Sequence, residues 1–404
     1  MSASPSTPDP KATGPLAGLL VADFSRILAG PYATMLLADL GAEVVKVEGP
    51  SGDDTRTWMP PVRDGISTYY LGINRNKRSI ALDLKDPEDL AVARSLATRA
   101  DVLIENMRPG GMARFGLDFA SVRASNPGIV YASISGFGTT EEGAKLAGYD
   151  LMVQAISGLM SLTGDPEGTA YRAGISVFDV MAGMHATIGI LAALNHRHEH
   201  GQGQHVEVNL LSSALSGLVN HTSAVVASDA TPFRMGNAHP SLFPYEPLPT
   251  ADGEIVVIAG NNRQFVTLCE VLGIPEVAED DRFRSNEDRT ARRAELLPIL
   301  LEALATASTE EWFARFRAAG LPGGPVNTVR EGVAFARSIG LEPVVEVGEG
   351  EAMVPSIRNP ITFSDTPASY RYPPPRLDQH HDELRSWLLD PTVVSATSTQ
   401  EPTP

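Results

Sequence analysis

The stretch LLVADFSRILAGPYATMLLADLGAEVVKVE, residues 19–48, is the part of the chain that decides the fold class. Its two ends, Leu19–Asp23 and Glu43–Glu48, are short apolar runs with the length of buried strands. Pro31–Leu40 between them is typical of a helix, because proline suits the first helical position and Gly41 suits the stop. A strand, a helix and a second strand in this order predict two parallel strands joined by a crossover helix.

The same alternation continues through the first half of the chain. Ser79–Leu84 is a further predicted strand, and the helix after it begins at Asp86 and ends at Ala100. Asp101–Glu105 and Ile129–Ile134 complete the series. This rhythm predicts an α/β fold, in which a Rossmann-like large domain has a parallel sheet with helices on both faces. Ligands of such sheets bind at the carboxyl ends of the strands.

The second half of the chain predicts a smaller α+β domain. At 404 residues the chain exceeds one ordinary core, so two domains are expected. A predicted hairpin turns at Asp252 and Gly253, helices follow, and short strands return after Asn327. The predicted divisions are a disordered tail at 1–15, the first part of the large domain at 16–228, the small domain at 229–327, a C-terminal part returning to the large domain at 328–390, and a second disordered tail at 391–404.

Charge and composition exclude several classes of partner. With 32 basic and 49 acidic residues the net charge is −17, which disfavours nucleic acid and an anionic membrane. Residues 71–114 nevertheless hold eight basic and six acidic side chains, an excess that suits either a small polyanionic ligand or a solvated face. The longest apolar run, Met181–Leu194, is too short to span a bilayer. A single cysteine, Cys269, fits a reducing compartment, so we expect a cytoplasmic protein.

Asp179 is an isolated acid in GISVFDVMAGMHATIGILAAL, residues 174–194. Ile175–Phe178 is predicted to end a buried strand, and Val180 to open a packed helix. The exposed N–H groups of a helix start favour negative charge. The residues alone leave two interpretations open: Asp179 is an N-cap of that helix, or it is a fixed, desolvated carboxylate nucleophile.

Several common catalytic and binding motifs are absent from the sequence. It has no G-x-x-x-x-G-K-[ST] loop, no G-x-G-x-x-G after the first strand and no G-x-S-x-G elbow. The strongest signals for nucleotide hydrolysis, nicotinamide chemistry and serine hydrolysis are therefore missing. The histidines of HRHEHGQGQH, residues 196–205, bracket a glycine-rich turn after a long helix, which favours a solvated helix end over a metal site. We therefore expect no bound metal.

Six ordered motifs resemble one family of enzymes. They are LLVADFSRILAGPYATMLLADLGAEVVKVEGPSGDD, NRNKRSIALDLK, ADVLIENMRPGGMARFGLD, NPGIVYASISGFG, YDLMVQAISGLMSLTG and GISVFDVMAGMHATIGILAAL. These motifs are similar to those of the family III (CaiB/BaiF) CoA-transferases, the group that includes formyl-CoA transferase, carnitine CoA-transferase and α-methylacyl-CoA racemase. The similarity runs from about Leu16 to Leu389, nearly the whole chain.

The resemblance implies an assembly and a site. Two chains, each with a Rossmann-like large domain and a small domain, would interlock as a ring-like homodimer. Asp179 matches the aspartate that acts as nucleophile in the family, and CoA enters as a thioester substrate, with no tightly bound cofactor. The positions that match CoA-contacting residues are Leu28, Ala29, Leu82, Asp83, Leu84, Lys85, Asn106, Met107, Arg108, Arg114, Tyr149 and Asp150.

The resemblance also implies a reaction. CoA would move from an acyl-CoA donor, succinyl-CoA in many relatives, to a carboxylic acid acceptor through aspartyl anhydride and aspartyl-CoA thioester intermediates. Backbone N–H groups of Gly136–Gly138, or of Gly260 and Asn261, would stabilise the oxyanions. Three further side chains would contact an acceptor carboxylate or serve as ordinary interface packing, namely His239, Tyr245 and Arg263.

An acyl-CoA racemase or epimerase is the alternative within the same family, and a CoA-binding protein without catalysis is a third, weaker one. Racemase relatives carry Gly-His-Asp where this chain has Gly148, Tyr149 and Asp150, and Asn262 stands in the place of their glutamate. A tyrosine with an ordinary pKa near 10 is a poor general base at neutral pH. Both replacements favour transfer over racemisation.

Gly49 marks a departure from the family pattern. A CoA-contacting arginine of several relatives falls at this position, where the chain has no side chain to offer. Part of the contact with the nucleotide is therefore expected to differ from that of the relatives, or to come from a neighbouring basic residue such as Lys46 or Arg75.

Overall fold

The computed structural model describes residues 13–390. The predicted disordered tails, 1–15 and 391–404, lie outside the described residues except for Thr13–Pro15. Those three residues pack against the chain near Leu40: the Leu16 N–H donates to the Leu40 carbonyl at 2.9 Å, and Gly14 approaches the same oxygen at a φ of +123°. The packed chain therefore begins before the predicted boundary at residue 15.

Strands and helices alternate in the first half of the described chain, as expected. The strands are β1 (Leu20–Asp23), β2 (Glu43–Glu48), β3 (Val62–Arg63), β4 (Ile66–Ser67), β5 (Lys77–Ala81), β6 (Val102–Glu105), β7 (Val130–Ser135), β8 (His205–Asn209), β9 (Tyr245–Pro249), β10 (Glu254–Ile258), β11 (Gly323–Pro325), β12 (Val344–Val347) and β13 (Val354–Ile357). The α-helices are α1 (Ala29–Asp39), α2 (Thr68–Leu71), α3 (Pro87–Arg99), α4 (Phe119–Ser125), α5 (Asp150–Ile156), α6 (Leu159–Leu162), α7 (Val177–His200), α8 (Leu210–Gly217), α9 (Val219–Ser228), α10 (Asn262–Leu272), α11 (Pro275–Glu279), α12 (Asn286–Ala291), α13 (Arg293–Leu304), α14 (Thr309–Ala318), α15 (Val329–Ser338) and α16 (His381–Leu389).

A six-stranded parallel sheet has the strand order β5-β2-β1-β6-β7-β8. All neighbouring pairs in it run parallel. The chain builds outward from β1 to β2 and β5, and then crosses back to place β6 on the other side of β1. The carboxyl ends of β1 and β6 therefore flank a topological switch point, where a ligand crevice forms in open α/β sheets. The predicted α/β fold with a parallel sheet is confirmed.

Two compact units divide the chain. The first holds the residues up to Ser157, Ala173–Ser228 and the residues from Glu342 onward; the second holds Gly158–Arg172 and Asp229–Leu341. The middle segment of the first unit ends at Ser228. This division differs from the predicted one in two places, because Gly158–Arg172 and the residues between 328 and 341 both belong to the second unit.

Specific contacts explain these two differences. The Arg234 guanidinium donates to the backbone carbonyls of Asp165 and Gly168 at 3.1 and 3.2 Å, which ties the 158–172 segment to the second unit. Phe335 on α15 packs against Phe313 on α14 with ring centroids 6.0 Å apart. The return to the first unit therefore comes after α15 rather than at the predicted residue 328.

Buried ion pairs bind the C-terminal part of the first unit to its sheet. The Arg75 guanidinium donates to both Asp39 carboxylate oxygens, at 2.9 and 2.6 Å. The same carboxylate accepts hydrogen bonds from the side-chain amides of Asn76 and Asn359, at 2.8 and 3.2 Å. Because a buried charge is costly unless it is paired and hydrogen-bonded, this network favours one arrangement of distant segments.

α7 is long and apolar enough to cross a membrane by length and composition. One of its faces is nevertheless buried, and Phe178, Ala182, Ala186 and Ile190 recur there at helical spacing. This face packs on α1 and on the sheet strands β7 and β8. Packing within the first unit therefore accounts for the apolar residues on one face of α7, while Met184 and Ile188 remain exposed.

The second unit has its own core. β9 and β10 form the predicted hairpin, and β11 pairs with β10 on the other side. Trp312 and Phe316 of α14 lie fully buried in this core. The buried Arg289 guanidinium donates to the carbonyls of Phe243 and Phe283 and to the Asn262 side chain. Its charge is thus satisfied inside the unit.

Candidate active site

Asp179 lies in the first turn of α7 and not at the end of a strand. The predicted strand over Ile175–Phe178 is wrong, because Val177 already begins the helix and Ile175 is 63% exposed. β7 is paired by β6 on one side and by β8 on the other, so a further strand has no place beside it. The N-cap interpretation of Asp179 is also wrong, since Ser176 occupies that position.

Asp150, on α5, holds the first turn of α7 in place. Its carboxylate Oδ1 accepts the backbone N–H groups of Phe178 at 2.8 Å and of Asp179 at 3.2 Å. The other oxygen accepts from the Gln154 amide, which also donates to the Ile175 carbonyl at 3.1 Å. A capping carboxylate at a helix start contributes about 1 kcal/mol and is favoured by the helix dipole. Asp150 therefore positions the Asp179 backbone.

The environment of Asp179 changes its acidity. Burial is the main cause that raises the pKa of Asp179 to about 7, and the negative charge of Asp150 acts in the same direction. An ordinary aspartate has a pKa near 4. Because water is partly excluded, the ionised carboxylate is less shielded than one at the surface, which suits a nucleophile.

A cavity opens onto Asp179 at the carboxyl ends of β6 and β7. The loop after β6 and the end of β7 both contribute to its wall, as the strand-end argument predicts. Its lining residues are Arg26, Ile27, Ala29, Asn106, Met107, Arg108, Pro109, Ile134, Ser135, Gly136, Leu146, Ala147, Gly148, Tyr149, Asp179 and Leu210. Asp179 is the only carboxylate in this lining.

Two glycines form one wall of this cavity, where the backbone after β7 crosses the segment before α5. A Cβ added to Gly136 would lie 2.3 Å from the Gly148 Cα, and one added to Gly148 would lie 2.7 Å from the Gly136 Cα. Neither position has room for a side chain. The crossing sets Tyr149 and Asp150 beside Asp179. The Gly138 N–H donates to the Ser135 hydroxyl at 3.0 Å, so it is not free for a substrate.

A second cavity continues on the other side of the loop after β6. It is lined by Phe24, Arg26, Val47, Glu48, Gly49, Pro50, Leu82, Asp83, Leu84, Met107, Arg108, Gly111, Met112, Arg114 and Phe115. Three arginines and several apolar side chains line this cavity. Its two acids are Glu48, which is paired with Arg56 at 2.6 Å, and Asp83, which accepts the Lys85 N–H at 3.0 Å. Cationic and apolar groups together suit a nucleotide with phosphates.

The CoA-contacting positions implied by resemblance fall into three groups. Those that line a cavity are Ala29, Leu82, Asp83, Leu84, Asn106, Met107, Arg108, Arg114 and Tyr149. Leu28 and Lys85 line neither cavity, since Leu28 is buried and Lys85 is exposed. Asp150 is buried with its carboxylate bonded to protein groups, so its contribution is positional.

Lys46 and Arg75 do not replace the missing arginine at Gly49. The Lys46 ammonium is buried against the Asp53 carboxylate at 2.9 Å, and the Arg75 guanidinium is buried against Asp39 at 2.6 Å. Both cations are already paired inside the core. The expectation that one of them contacts the nucleotide is therefore wrong.

Tyr69 is a site residue that sequence reasoning missed. Its hydroxyl hydrogen-bonds the side chain of Ser176, and burial together with the nearby charge of Asp179 raises its pKa. Trp58 packs edge-to-face on its ring with centroids 5.3 Å apart. The signal in the sequence that could have indicated Tyr69 is its pairing with Trp58 in the proline-containing segment between β2 and β5.

The expected acceptor residues lie in the second unit. The His239 and Tyr245 rings are 5.1 Å apart, and Arg263 is exposed in the first turn of α10. Gly260 directly precedes Asn261, which caps α10 by accepting the Gln264 N–H at 2.9 Å. These positions remain predictions for substrate contact.

The histidines of residues 196–205 are divided between two elements. His196, His198 and His200 lie in the last turns of α7, whereas His205 opens β8 and bonds the Ser133 hydroxyl at 2.9 Å. Within residues 13–390, no group of three or more His, Cys, Asp or Glu side chains is placed to hold a metal ion.

Similarity to known proteins covers almost the whole chain. The sequence model of CoA-transferase family III matches residues 16–381. The chain is 40% identical to the succinate–glutarate CoA-transferase of Agrobacterium fabrum, over 96% of this chain and 99% of that protein. It is 40% identical to the human succinyl-CoA:glutarate CoA-transferase, over 93% of this chain and 86% of that one. A CaiB/BaiF family protein from Brucella suis has a structure that superposes with a TM-score of 0.84 at 39% identity, covering 93% of this chain and all of that chain. The chain therefore belongs to CoA-transferase family III and is a CoA-transferase.

Proposed function

We propose that the protein transfers CoA from succinyl-CoA to a dicarboxylic acid such as glutarate, with Asp179 as the covalent nucleophile. The observation that carries this proposal is Asp179 itself: it is the one carboxylate in the lining of its cavity, and its pKa lies at about 7. The substrates come from the names of the relatives in Agrobacterium fabrum and in humans, at 40% identity over nearly the whole chain.

The first half of the reaction removes CoA from its donor. A carboxylate oxygen of Asp179 attacks the thioester carbonyl of succinyl-CoA, and the C–S bond breaks to give a mixed anhydride and the CoA thiolate. The thiolate then attacks the Asp179 carbonyl carbon of the anhydride. Succinate leaves with the bridging oxygen, and an aspartyl-CoA thioester remains on the enzyme.

The second half runs the same steps in reverse order with the acceptor. A carboxylate oxygen of glutarate attacks the Asp179 thioester carbonyl, and the CoA thiolate leaves. The thiolate attacks the glutaryl carbonyl of the new anhydride, which releases glutaryl-CoA and restores the Asp179 carboxylate. An enzyme carboxylate suits this chemistry because donor, acceptor and catalyst exchange acyl groups of similar energy, so the thioester energy is retained.

The surroundings of Asp179 suit these steps. The Asp150 carboxylate accepts the Phe178 and Asp179 N–H groups and keeps the first turn of α7 fixed as the Asp179 side chain changes charge. The charge of Asp179 contributes to the raised pKa of the nearby Tyr69 hydroxyl.

The direct test of this function is a substrate panel with purified protein. Succinyl-CoA and acetyl-CoA serve as donors, and glutarate, malonate, oxalate and a monocarboxylate of similar length serve as acceptors. The proposal expects glutaryl-CoA from succinyl-CoA and glutarate, and no turnover for Asp179→Ala with CoA binding retained. CoA binding without transfer from either donor would support the binding-protein alternative instead.

Racemisation is not favoured. Tyr149 takes the place of the racemase histidine, and the Asn262 amide oxygen is engaged by buried Arg289 at 3.1 Å. The named relatives at 40% identity are all transferases. Deuterium entering the α-position of a 2-methylacyl-CoA from heavy water, without CoA transfer to any acid, would reverse this assignment.

We further propose that the working form is a cytoplasmic homodimer. Apolar side chains are exposed along α5, α7, α8 and α9, namely Leu151, Ile156, Ile188, Leu215 and Val219. An apolar patch shared by four neighbouring helices favours burial against a second copy. Light scattering on the purified protein measures the assembly: a mass of two chains supports the proposal, and a monomer at micromolar concentration contradicts it.

The cytoplasmic assignment rests on the single, buried Cys269, and cell fractionation tests it.

A further inference from the structure

Arg26, in the turn between β1 and α1, is a cation that the reaction steps above do not use. It lines the cavity that holds Asp179 and also the cavity that holds Arg114. The two linings share three residues, Arg26, Met107 and Arg108. A ligand that occupies both cavities therefore meets these shared residues where the two linings join.

The backbone of this turn is fixed by side chains from two other segments. The Arg26 N–H donates to the Asn106 Oδ1 at 2.9 Å, and the Asn106 Nδ2 donates back to the Arg26 carbonyl at 2.7 Å. The next N–H, that of Ile27, donates to the Asp53 carboxylate at 3.2 Å. These bonds join the β1–α1 turn to the loop after β6.

Ile27 has a φ of +69°, in the left-handed region. A β-branched residue is a clear outlier there, and such strain persists only where the surroundings impose it. The bonds from Asn106 and Asp53 impose it here. Strained backbone of this kind concentrates at ligand-binding sites, and the side chain that this turn presents to both cavities is that of Arg26.

The Arg26 side chain is available to a ligand. Its guanidinium contacts the Asp54 carboxylate at 3.4 Å, and the two side chains are 55% and 53% exposed. An exposed ion pair of this length is weak and is displaced without burying an unpaired charge. Lys46 and Arg75 differ from it, because both are paired in the core.

We propose that Arg26, together with Arg108, binds the diphosphate of CoA, and that Asn106 positions Arg26 for this contact. The proposal rests on the proposed function, which puts the thiol of CoA at Asp179 and its nucleotide beside Arg114. The diphosphate joins these two parts, so it falls at the passage between the cavities. A guanidinium forms paired, charge-assisted hydrogen bonds with phosphate oxygens. Arg26 thus supplies the cationic contact that Gly49 lacks.

Calorimetric titration with CoA and with 3′-dephospho-CoA tests the assignment. Arg26→Gln is expected to weaken the binding of both ligands by the same factor, about tenfold or 1.4 kcal/mol. Arg26→Lys keeps the charge but not the planar guanidinium. Its affinity for both ligands is therefore expected to lie between that of Arg26→Gln and that of the wild type. The matched control is Arg123→Gln, which removes an exposed arginine of α4 that lines neither cavity.

Each alternative outcome identifies a different error. Unchanged CoA affinity in Arg26→Gln overturns the proposal. A loss for CoA but not for 3′-dephospho-CoA moves Arg26 to the 3′-phosphate and overturns the diphosphate assignment. A wild-type protein that binds neither ligand overturns the proposed function and this contact with it.

The role of Asn106 is tested by the split between KM and kcat. Asn106→Ala is expected to raise the KM for succinyl-CoA severalfold with kcat little changed, because the turn loses its two bonds and Arg26 its fixed place. An equal fall in kcat and kcat/KM in Asn106→Ala would assign Asn106 to the chemical step instead.

Discussion

Two carboxylates with separate tasks define the site at the scale of single residues. Asp179 lines the cavity with a pKa of about 7, whereas Asp150 is buried behind it and accepts two backbone N–H groups of the same helical turn. The sequence singled out Asp179, and the structure places it in the lining of a cavity. The family resemblance placed Tyr149 and Asp150 together among the CoA-contacting positions, and adjacency in sequence does not reveal which of the two points into the protein.

Replacing Asp150 by Asn is expected to lower the pKa of Asp179. The amide removes a negative charge that disfavours ionisation of Asp179, while its oxygen still accepts the two N–H groups. The rising part of the profile of kcat/KM against pH reports the pKa of Asp179 in the free enzyme, and we expect it to shift to lower pH. Glu199→Gln, at the exposed far end of α7, is the charge control and leaves the profile in place. An unmoved profile in Asp150→Asn would contradict the coupling.

Replacing Asp179 by Asn is expected to stabilise the fold in a pH-dependent way. The pKa of Asp179 in the folded protein, about 7, lies above the ordinary aspartate pKa of about 4 that it has in the unfolded chain, so the wild type loses stability as pH rises from about 4 to 7. The uncharged amide avoids that loss. Thermal unfolding is therefore expected to show a higher Tm for the variant at pH 8 and equal Tm values near pH 3.5. A difference in Tm that is the same at both pH values would show that ionisation of Asp179 is not its cause.

At the scale of elements, local patterns predicted regular structure well and irregular segments poorly. The Asp86-capped α3, the strand β2 and the Asp252-Gly253 hairpin are confirmed because their signals lie within a few residues. The predicted start of α7 was wrong because a short, mostly apolar segment fits a strand or a helix equally. The side chain that decides it belongs to Asp150, more than twenty residues earlier, which no local pattern shows.

The crossing of Gly136 and Gly148 gives a test of one such irregular segment. Gly136→Ala places a Cβ 2.3 Å from the Gly148 Cα, so the two segments must separate. We expect a loss of about 1–3 kcal/mol in the free energy of unfolding, as for overpacking elsewhere, and a large loss of activity as Tyr149 and Asp150 move. Chemical denaturation and the transferase assay measure the two effects.

Gly332→Ala is the matched control. Its Cβ meets nothing within 4 Å and its site is the interior of α15, so it is expected to leave activity unchanged and to stabilise the fold by about 0.5–1 kcal/mol. If Gly136→Ala behaved like this control, the crossing would not position the site.

At the scale of the whole molecule, contacts between distant segments complete the first unit. Asp39 of α1 bonds Asn359, and the Arg371 guanidinium donates to the Ala42 carbonyl at 2.8 Å. The return of the C-terminal part was expected, but its start near residue 342 was not, because the sequence pattern of α15 does not show which unit this helix packs against. The family resemblance predicted the assembly, and the exposed apolar faces of α5 and α7–α9 support it.

Ile188→Asp tests the proposed homodimer. Ile188 is 63% exposed on α7, so an aspartate there costs the isolated chain little but puts a charge into an apolar interface. Light scattering is expected to show a shift from two chains to one, with the circular dichroism spectrum retained. Leu389→Asp, an exposed leucine of α16, is the control and leaves the dimer intact. A variant Ile188→Asp that stays dimeric would place the interface elsewhere.

The central claim is that Asp179 exchanges oxygen with its substrates through an anhydride, and isotope transfer measures this directly. The enzyme turns over succinyl-CoA with glutarate labelled with ¹⁸O in its carboxylates, and the tryptic peptide 173–197 is then analysed by mass spectrometry. Asp179 is the only acidic side chain in that peptide. The mechanism predicts ¹⁸O in this side chain when both substrates are present, and none when succinyl-CoA is left out. Formation of glutaryl-CoA without label in the peptide would contradict the assignment of Asp179 as the nucleophile.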